Sequence, residues 1–219
     1  MTTGFGALLG GATFGAFGSL MGGINGLFTG TRQIYNWNNI DGWASFLSDS
    51  SWGILGTSLG NFANIYDLIA APSSYRHDLS YRQNRQVYDS GLYLAKDDAA
   101  TFGNVTSNLS GGGGVNILQH ESTHILQNRI FGPFYVGVSA AWYVVGGVAG
   151  AVVGALISGD AWVIVGGIVG GPLGAIVAGL LDSHGRQGAR DVAYLDNPWE
   201  LWAYSVQGTR DSGKGPLAF

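Results

Sequence analysis

The chain has no cysteine among its 219 residues, so it can form no disulfide and offer a metal no thiolate. Charge is scarce. Asp, Glu, Lys and Arg together make up 11% of the sequence, less than half the usual quarter for soluble domains, so much of the chain is expected to face something other than water. The net charge is −4 and no strongly basic stretch occurs, which argues against nucleic acid as a partner. Met1-Thr2-Thr3 carries no positive n-region and does not read as a cleaved signal peptide. Glutamate and histidine are rare: Glu121 and Glu200 are the only glutamates, and His77, His120, His124 and His184 the only histidines. Glycine, with 38 residues, stands at more than twice its average share.

Two of the four histidines and one of the two glutamates fall together in Gln119-His120-Glu121-Ser122-Thr123-His124, an H-E-x-x-H pattern. On a helix, residues four apart share a face, so two imidazoles can ligate one zinc ion. The glutamate after the first histidine is placed to take a proton from the metal's water. Asn116 with Gln119 three residues on predicts a capping box at the helix start, and Gly132-Pro133 predicts its end near Ile130.

Long uncharged stretches flank this helix. Met1 to Thr31 carries no charge, and small residues recur every four positions, at Ala7, Gly11, Gly15, Ser19 and Gly23 and at Gly18, Gly22, Gly26 and Gly30. Such small faces let helices approach closely, and the stretch is long enough to cross a bilayer, which takes about 20 apolar residues. Val136–Ile157 and Ala161–Leu181 are uncharged as well, with Gly146, Gly150, Gly154 and Ser158 and then Gly166, Gly170, Gly174 and Ala178 repeating the spacing. Joined by Ser158-Gly159-Asp160, they read as a transmembrane helical hairpin. Arg129, Arg186 and Arg190 flank its near ends, so the positive-inside rule places the metal motif on the cytoplasmic face.

Between these segments, 32–50 reads as a polar, aromatic loop that fits a membrane interface or packing on a core equally well, and Trp52 to Ala71 as a second helix. Residues 73–86 read as a charged soluble connection, in which His77 is taken as solvated. Val87 to Ala95 and Thr101 to Leu109 read as the two strands of a hairpin turning at Lys96-Asp97-Asp98, and Ser110–Gly114 as a flexible loop.

A catalytic zinc takes three protein ligands and keeps one position for water, and without cysteine the third must be Asp, Glu or His. Asn197-Pro198-Trp199-Glu200 predicts a helix with Asn197 as cap, proline in the first turn and Glu200 one turn in. Glu200 is the leading third ligand, with His184 and Asp191 as alternatives; a capping-box role is the competing use of Glu200. His184, Arg190, Tyr194 and Tyr204 lie near it in sequence as candidate oxyanion donors.

His120-Glu121-Ser122-Thr123-His124 followed by Asn197-Pro198-x-Glu200-x-x-Ala203 resembles the gluzincin metallopeptidases, especially the small bacterial minigluzincin type. The resemblance covers about residues 87–130 and 188–207. It implies a β-hairpin before the motif helix, His120, His124 and Glu200 as zinc ligands, and Glu121 as general base and acid. The sequence departs from that pattern by inserting the apolar stretch 134–182 between the ligand helices and by adding residues 1–72.

The expected architecture is mainly α with a small β-hairpin, in which glycine-zipper helical hairpins crossing a membrane join a small zincin-like α+β site. Four segments follow: 1–72, a glycine-rich helical hairpin; 73–133, the hairpin and motif helix; 134–182, the apolar hairpin; and 183–219, the third-ligand helix and tail. The expected function is a membrane-associated zinc metallopeptidase acting on a peptide or protein, with Zn2+ as cofactor and the lipid bilayer as surroundings. The alternative is a membrane-inserting or pore-forming protein that assembles into homo-oligomers through its glycine zippers.

Overall fold

The uncharged N-terminal stretch does not run straight. In the computed structural model, which describes residues 1–93, 98–112, 116–159, 161–181 and 183–208, helix α1 spans Thr2–Arg32 but breaks at Phe14 (φ −132°, ψ 23°) and Gly15 (φ 61°, ψ −141°). A positive φ carries a steric cost for any side chain but glycine, so the only conformation that turns the chain here falls on a residue that permits it. The chain folds back on itself. A methyl group at Gly10 would collide with the Gly18 backbone, one at Gly6 with Gly22, and one at Gly26 with Thr2. These pairs are symmetric about residue 14, as an antiparallel hairpin requires. The expected continuous segment is thus two short arms, and the four-residue glycine spacing serves their mutual packing. Thr2–Arg32 and the later Pro133–Ile157 are the two helices among the described residues long and apolar enough to cross a membrane by length and composition.

Two compact units make up the chain, Met1–Val136 and Gly137–Phe219. In the first, α1 packs against α2 (Ile40–Ser50) and α3 (Ile54–Ala70). Helix α2 replaces the loop expected at 32–50. It buries Phe46 with Ile34 and Tyr35, and Asp49 with Ser50, so of the two uses open to this aromatic stretch these residues take the core. Helix α4 (His77–Gln83) likewise occupies part of the expected connection.

The sheet also departs from expectation. Strands β1 (Gln86–Val87), β2 (Ala100–Phe102) and β3 (Val105–Ser107) lie in the order β1-β3-β2. The hairpin is β2–β3, with the turn at Gly103-Asn104, inside what the alternation suggested was one strand. β1 pairs with β3 in parallel, so Val87 is not a hairpin partner of the later strand. Tertiary contact overrode local pattern: Asn104 is fully buried and donates to Asn25 Oδ1 at 2.8 Å and to the Tyr35 hydroxyl at 3.2 Å. The expected turn at Lys96-Asp97 lies outside the described residues.

Helix α5 (Ile117–Phe131) ends at Gly132 as expected and is held at its far end by polar contacts. Arg129 forms a buried ion pair with Asp49 at 2.7 Å, and Ser48 Oγ donates to the Arg129 carbonyl at 3.0 Å. Trp52 Nε1 donates to the Ile130 carbonyl at 3.0 Å, and Asn128 Nδ2 to the Gly53 carbonyl at 3.3 Å. Burial pulls the Arg129 pKa down, but the Asp49 charge and hydrogen bond more than offset it, leaving the group above its ordinary value.

In the second unit, α6 (Pro133–Ile157) continues from the first, followed by α7 (Ala161–Leu181), α8 (Ser183–Arg190), a π-helical turn (Asp191–Leu195) and α9 (Pro198–Gln207). α6 packs on α8 through glycines, Gly150 meeting Gly188 and Gly154 meeting the His184 carbonyl, and Trp142 Nε1 donates to the Val192 carbonyl at 2.9 Å. The tail beyond residue 208 lies outside the described residues.

Candidate metal centre

Helix α5 buries a polar face: His120, Glu121, Thr123, His124, Gln127 and Asn128 are all inside, with Ile125 the one aliphatic residue among them. A helix that buries so many polar groups needs each of them partnered or used. Four residues of helical spacing bring His120 Nε2 and His124 Nε2 to 3.1 Å, the rings set at 76° with centroids 4.8 Å apart. Two nitrogens bound tetrahedrally to one zinc at 2.0–2.1 Å would stand about 3.3 Å apart. The observed separation already matches that of a chelating pair.

The rest of the histidine geometry favours the same use. His124 Nδ1 lies 2.9 Å from Gln127 Oε1, an acceptor, which puts the proton on Nδ1 and leaves Nε2 its lone pair. The Tyr135 hydroxyl stands 3.5 Å from the same Nδ1. Gln127 and Tyr135 were not singled out from the sequence. Gln127 sits three positions after His124, the spacing that puts it on the same helical face, and that spacing was the available signal. Replacing Gln127 with leucine is expected to weaken metal binding by about 10–100-fold, as loss of a ligand's orienting partner does; a competitive chelator titration measures it.

Asn116 does not make the expected capping box. It takes a left-handed conformation (φ 63°, ψ 26°), in which its side chain caps nothing, and the first turn is closed by backbone bonds from Gln119 and His120 to the Asn116 carbonyl. At α9 the cap forms as expected: Asn197 Oδ1 accepts from the Trp199 amide at 3.0 Å, ahead of Pro198 in the first turn. The Asn197 amide bonds the Tyr194 carbonyl at 3.2 Å. That donor is the one a capping-box glutamate would need, so Glu200 is released from the structural role that competed with ligation.

His120, His124 and Glu200 form a buried group suited to hold a metal ion, one ligand atom from each lying within 4.8 Å of the others. Two imidazoles and a carboxylate are a donor set that zinc accepts. Comparison with known proteins finds no matching family, no curated relative and no similar solved structure. The reading of the centre therefore rests on its own chemistry. His77 is exposed and meets Tyr75 edge-on, and His184 is exposed; neither belongs to the group, nor does Asp191. Among the residues named as oxyanion candidates, Arg190 is exposed, and Tyr194 and Tyr204 are half-buried.

Glu121 is 4% exposed, and its carboxylate accepts no hydrogen bond among the described residues. Its charge acts on Arg85, a cation itself only 1% exposed. Arg85 ties sheet to helix, donating to Gln83 Oε1 at 2.8 Å, Thr106 Oγ1 at 2.9 Å and the Leu118 carbonyl at 3.4 Å. Burial pulls its pKa down to about 9, with Glu121 pulling the other way, so the guanidinium is still charged at neutral pH. The site thus holds a buried cation facing the glutamate, a feature invisible in the sequence because 36 residues separate the two.

Proposed function

We propose that the chain is a zinc metallopeptidase associated with a membrane. One observation supports it above the rest: two ring nitrogens 3.1 Å apart converge with a buried glutamate, while a second buried glutamate beside them is left out of the ligand group. A purely structural metal site has no use for that second carboxylate.

His120 Nε2, His124 Nε2 and a Glu200 carboxylate oxygen would hold the ion. Bound zinc supplies Lewis acidity, lowering the pKa of its water to about 7 and polarising a peptide carbonyl. Glu121 then takes a proton from the attacking water on a carboxylate oxygen and returns it to the amide nitrogen as the peptide bond breaks. The proton balance closes on one residue, and the carboxylate ends the cycle as it began. The Arg85 charge offsets the cost of holding the ionised carboxylate away from water. Gln127 fixes the His124 ring through both halves of the cycle. Strand β2 lies at an edge of the sheet and packs against α5, which makes its free edge the surface on which an extended peptide can add as a further strand.

The membrane part of the reading is supported by Pro133–Ile157, long and apolar enough to cross a bilayer, and by the uncharged α7. The rival reading, a pore-forming oligomer zipped through glycines, is weakened because the glycines of α1 are occupied within the chain. The direct test is the metal content of the purified full chain against the Glu200→Ala variant. Stoichiometric zinc in the parent and a loss of affinity exceeding the 10–100-fold typical of an outer-shell change are expected in the variant. Equal zinc in both would remove Glu200 from the site.

A further inference from the structure

Helix α7 is too broken to cross a bilayer and too apolar for water. Gly171 takes φ 60°, ψ −155°, and the helix doubles back there: Gly166 packs on Gly174, and Gly167 faces Ala175. The two arms, 161–170 and 172–181, are of about ten residues each, or roughly 15 Å at 1.5 Å per residue. That is half of the roughly 30 Å hydrocarbon core. The arms run antiparallel, with Gly166 also against Ala178, and a side chain added at Gly170 near the tip would meet nothing within 4 Å.

The exposed side chains say what surrounds it. Trp162, Ile168, Val169, Leu173 and Leu181 are each 73–83% exposed, and Ile164, Val165 and Val177 are exposed too. Positions 162, 164, 165, 168 and 169 cover the half of the first arm that faces away from its glycines, and 173, 177, 180 and 181 the corresponding half of the second, so the hairpin is apolar on both outer sides. No residue from Ala161 to Leu181 is charged, and in sequence Asp160 and Asp182 bracket the stretch. Surroundings that meet both outer sides of an uncharged hairpin and must be apolar fit hydrocarbon. At the base, exposed Arg186 donates to the Leu181 carbonyl at 2.6 Å, with exposed Arg190 one turn on. These guanidinium groups suit the phosphates of lipid headgroups, and Trp162, at the start of the first arm, suits the interface.

We infer that α7 is a re-entrant hairpin that enters a single leaflet of a lipid bilayer and returns to the same face without crossing. The tip is the costly part, since hydrocarbon cannot satisfy unpaired backbone groups. Only Gly171 leaves helical geometry, and residue 172 is a proline, with no N–H to bury. The inference rests on the membrane association proposed above and is independent of the metal chemistry.

The absence of cysteine makes the test clean, because every introduced thiol is the only one. The full chain carrying Ala161→Cys, Gly170→Cys or Leu181→Cys is reconstituted into vesicles of phosphatidylcholine and phosphatidylglycerol in equal parts. Each is then treated with a membrane-impermeant maleimide from outside, and again after the vesicles are opened. The expected result is that 161 and 181 label from the same side, while 170 loses its labelling in vesicles and regains it in detergent after denaturation. Labelling of 161 and 181 from opposite sides overturns the hairpin but leaves membrane association standing. Free labelling of 170 in bound protein also overturns it. Failure of the parent chain to float with the vesicles overturns both this inference and the membrane part of the proposed function. Recovery of the 170 label on denaturation separates protection by lipid from an unreactive variant.

Discussion

Replacing Glu121 with glutamine is expected to lower peptide hydrolysis by about 10²–10⁴-fold while leaving zinc content unchanged. The side chains are nearly isosteric, so packing is kept, but an amide cannot take a proton at neutral pH. Metal binding should survive because His120, His124 and Glu200 make up the proposed ligand group and Glu121 is outside it. The variant does have a second effect. It removes the charge that faces Arg85, so a buried guanidinium loses its compensation and the fold should loosen somewhat. Activity and zinc therefore need to be read at a temperature where the variant remains folded, as circular dichroism reports. Unchanged hydrolysis in a folded, zinc-loaded variant would remove Glu121 from the chemistry and with it the proposed mechanism.

The second large effect is on stability. Asp49 is fully buried, accepts from Arg129 at 2.7 and 2.9 Å and from the Tyr35 hydroxyl at 2.9 Å, and joins α2 to the site helix. Changing Asp49 to alanine leaves the Arg129 charge, on a side chain only 16% exposed, without its counter-ion. Breaking one side of a buried pair costs about 3–5 kcal/mol, and the lower end is expected here because Arg129 keeps its bond to the Asn84 carbonyl. For a chain of this size about 3 kcal/mol lowers the melting temperature by roughly 6–12 °C. Tyr35→Phe, which removes one donor to the same carboxylate and the acceptor of the Asn104 amide, should cost about 1–2 kcal/mol. If Asp49→Ala costs no more than Tyr35→Phe in a denaturation series, the pair does not hold α5 in place.

Some of the site was legible because its signal is local. His120 and His124 share a helical face by spacing alone, and the cap at Asn197 and the stop at Gly132 depend on neighbours only a few positions away. Glu200 stood out because only two glutamates occur and it follows Asn197-Pro198 at a helix start, with His184 and Asp191 left as alternatives. The errors were errors of range. The alternation across 101–109 looked like one strand because period two does not encode where a turn falls. The buried amide of Asn104, answered by Asn25 and Tyr35 some seventy to eighty residues away, decides it. The aromatic run at 32–50 fitted an interface or a core equally well, because composition cannot tell the two apart, and its helix went unread.

By itself the sequence determined the chemistry on offer: a zinc-compatible donor set, one base, no thiol, and apolar stretches rich in glycine. Tertiary structure decided how these are used. It set Arg85 opposite Glu121, assigned Gln127 to orient His124, and bent α1 and α7 at Gly15 and Gly171 into hairpins closed by glycine against glycine. The physical reason is that spacing fixes what shares a helical face. Where an apolar helix reverses depends on whether its arms gain more by packing on each other than by running on, and only the folded chain settles that balance.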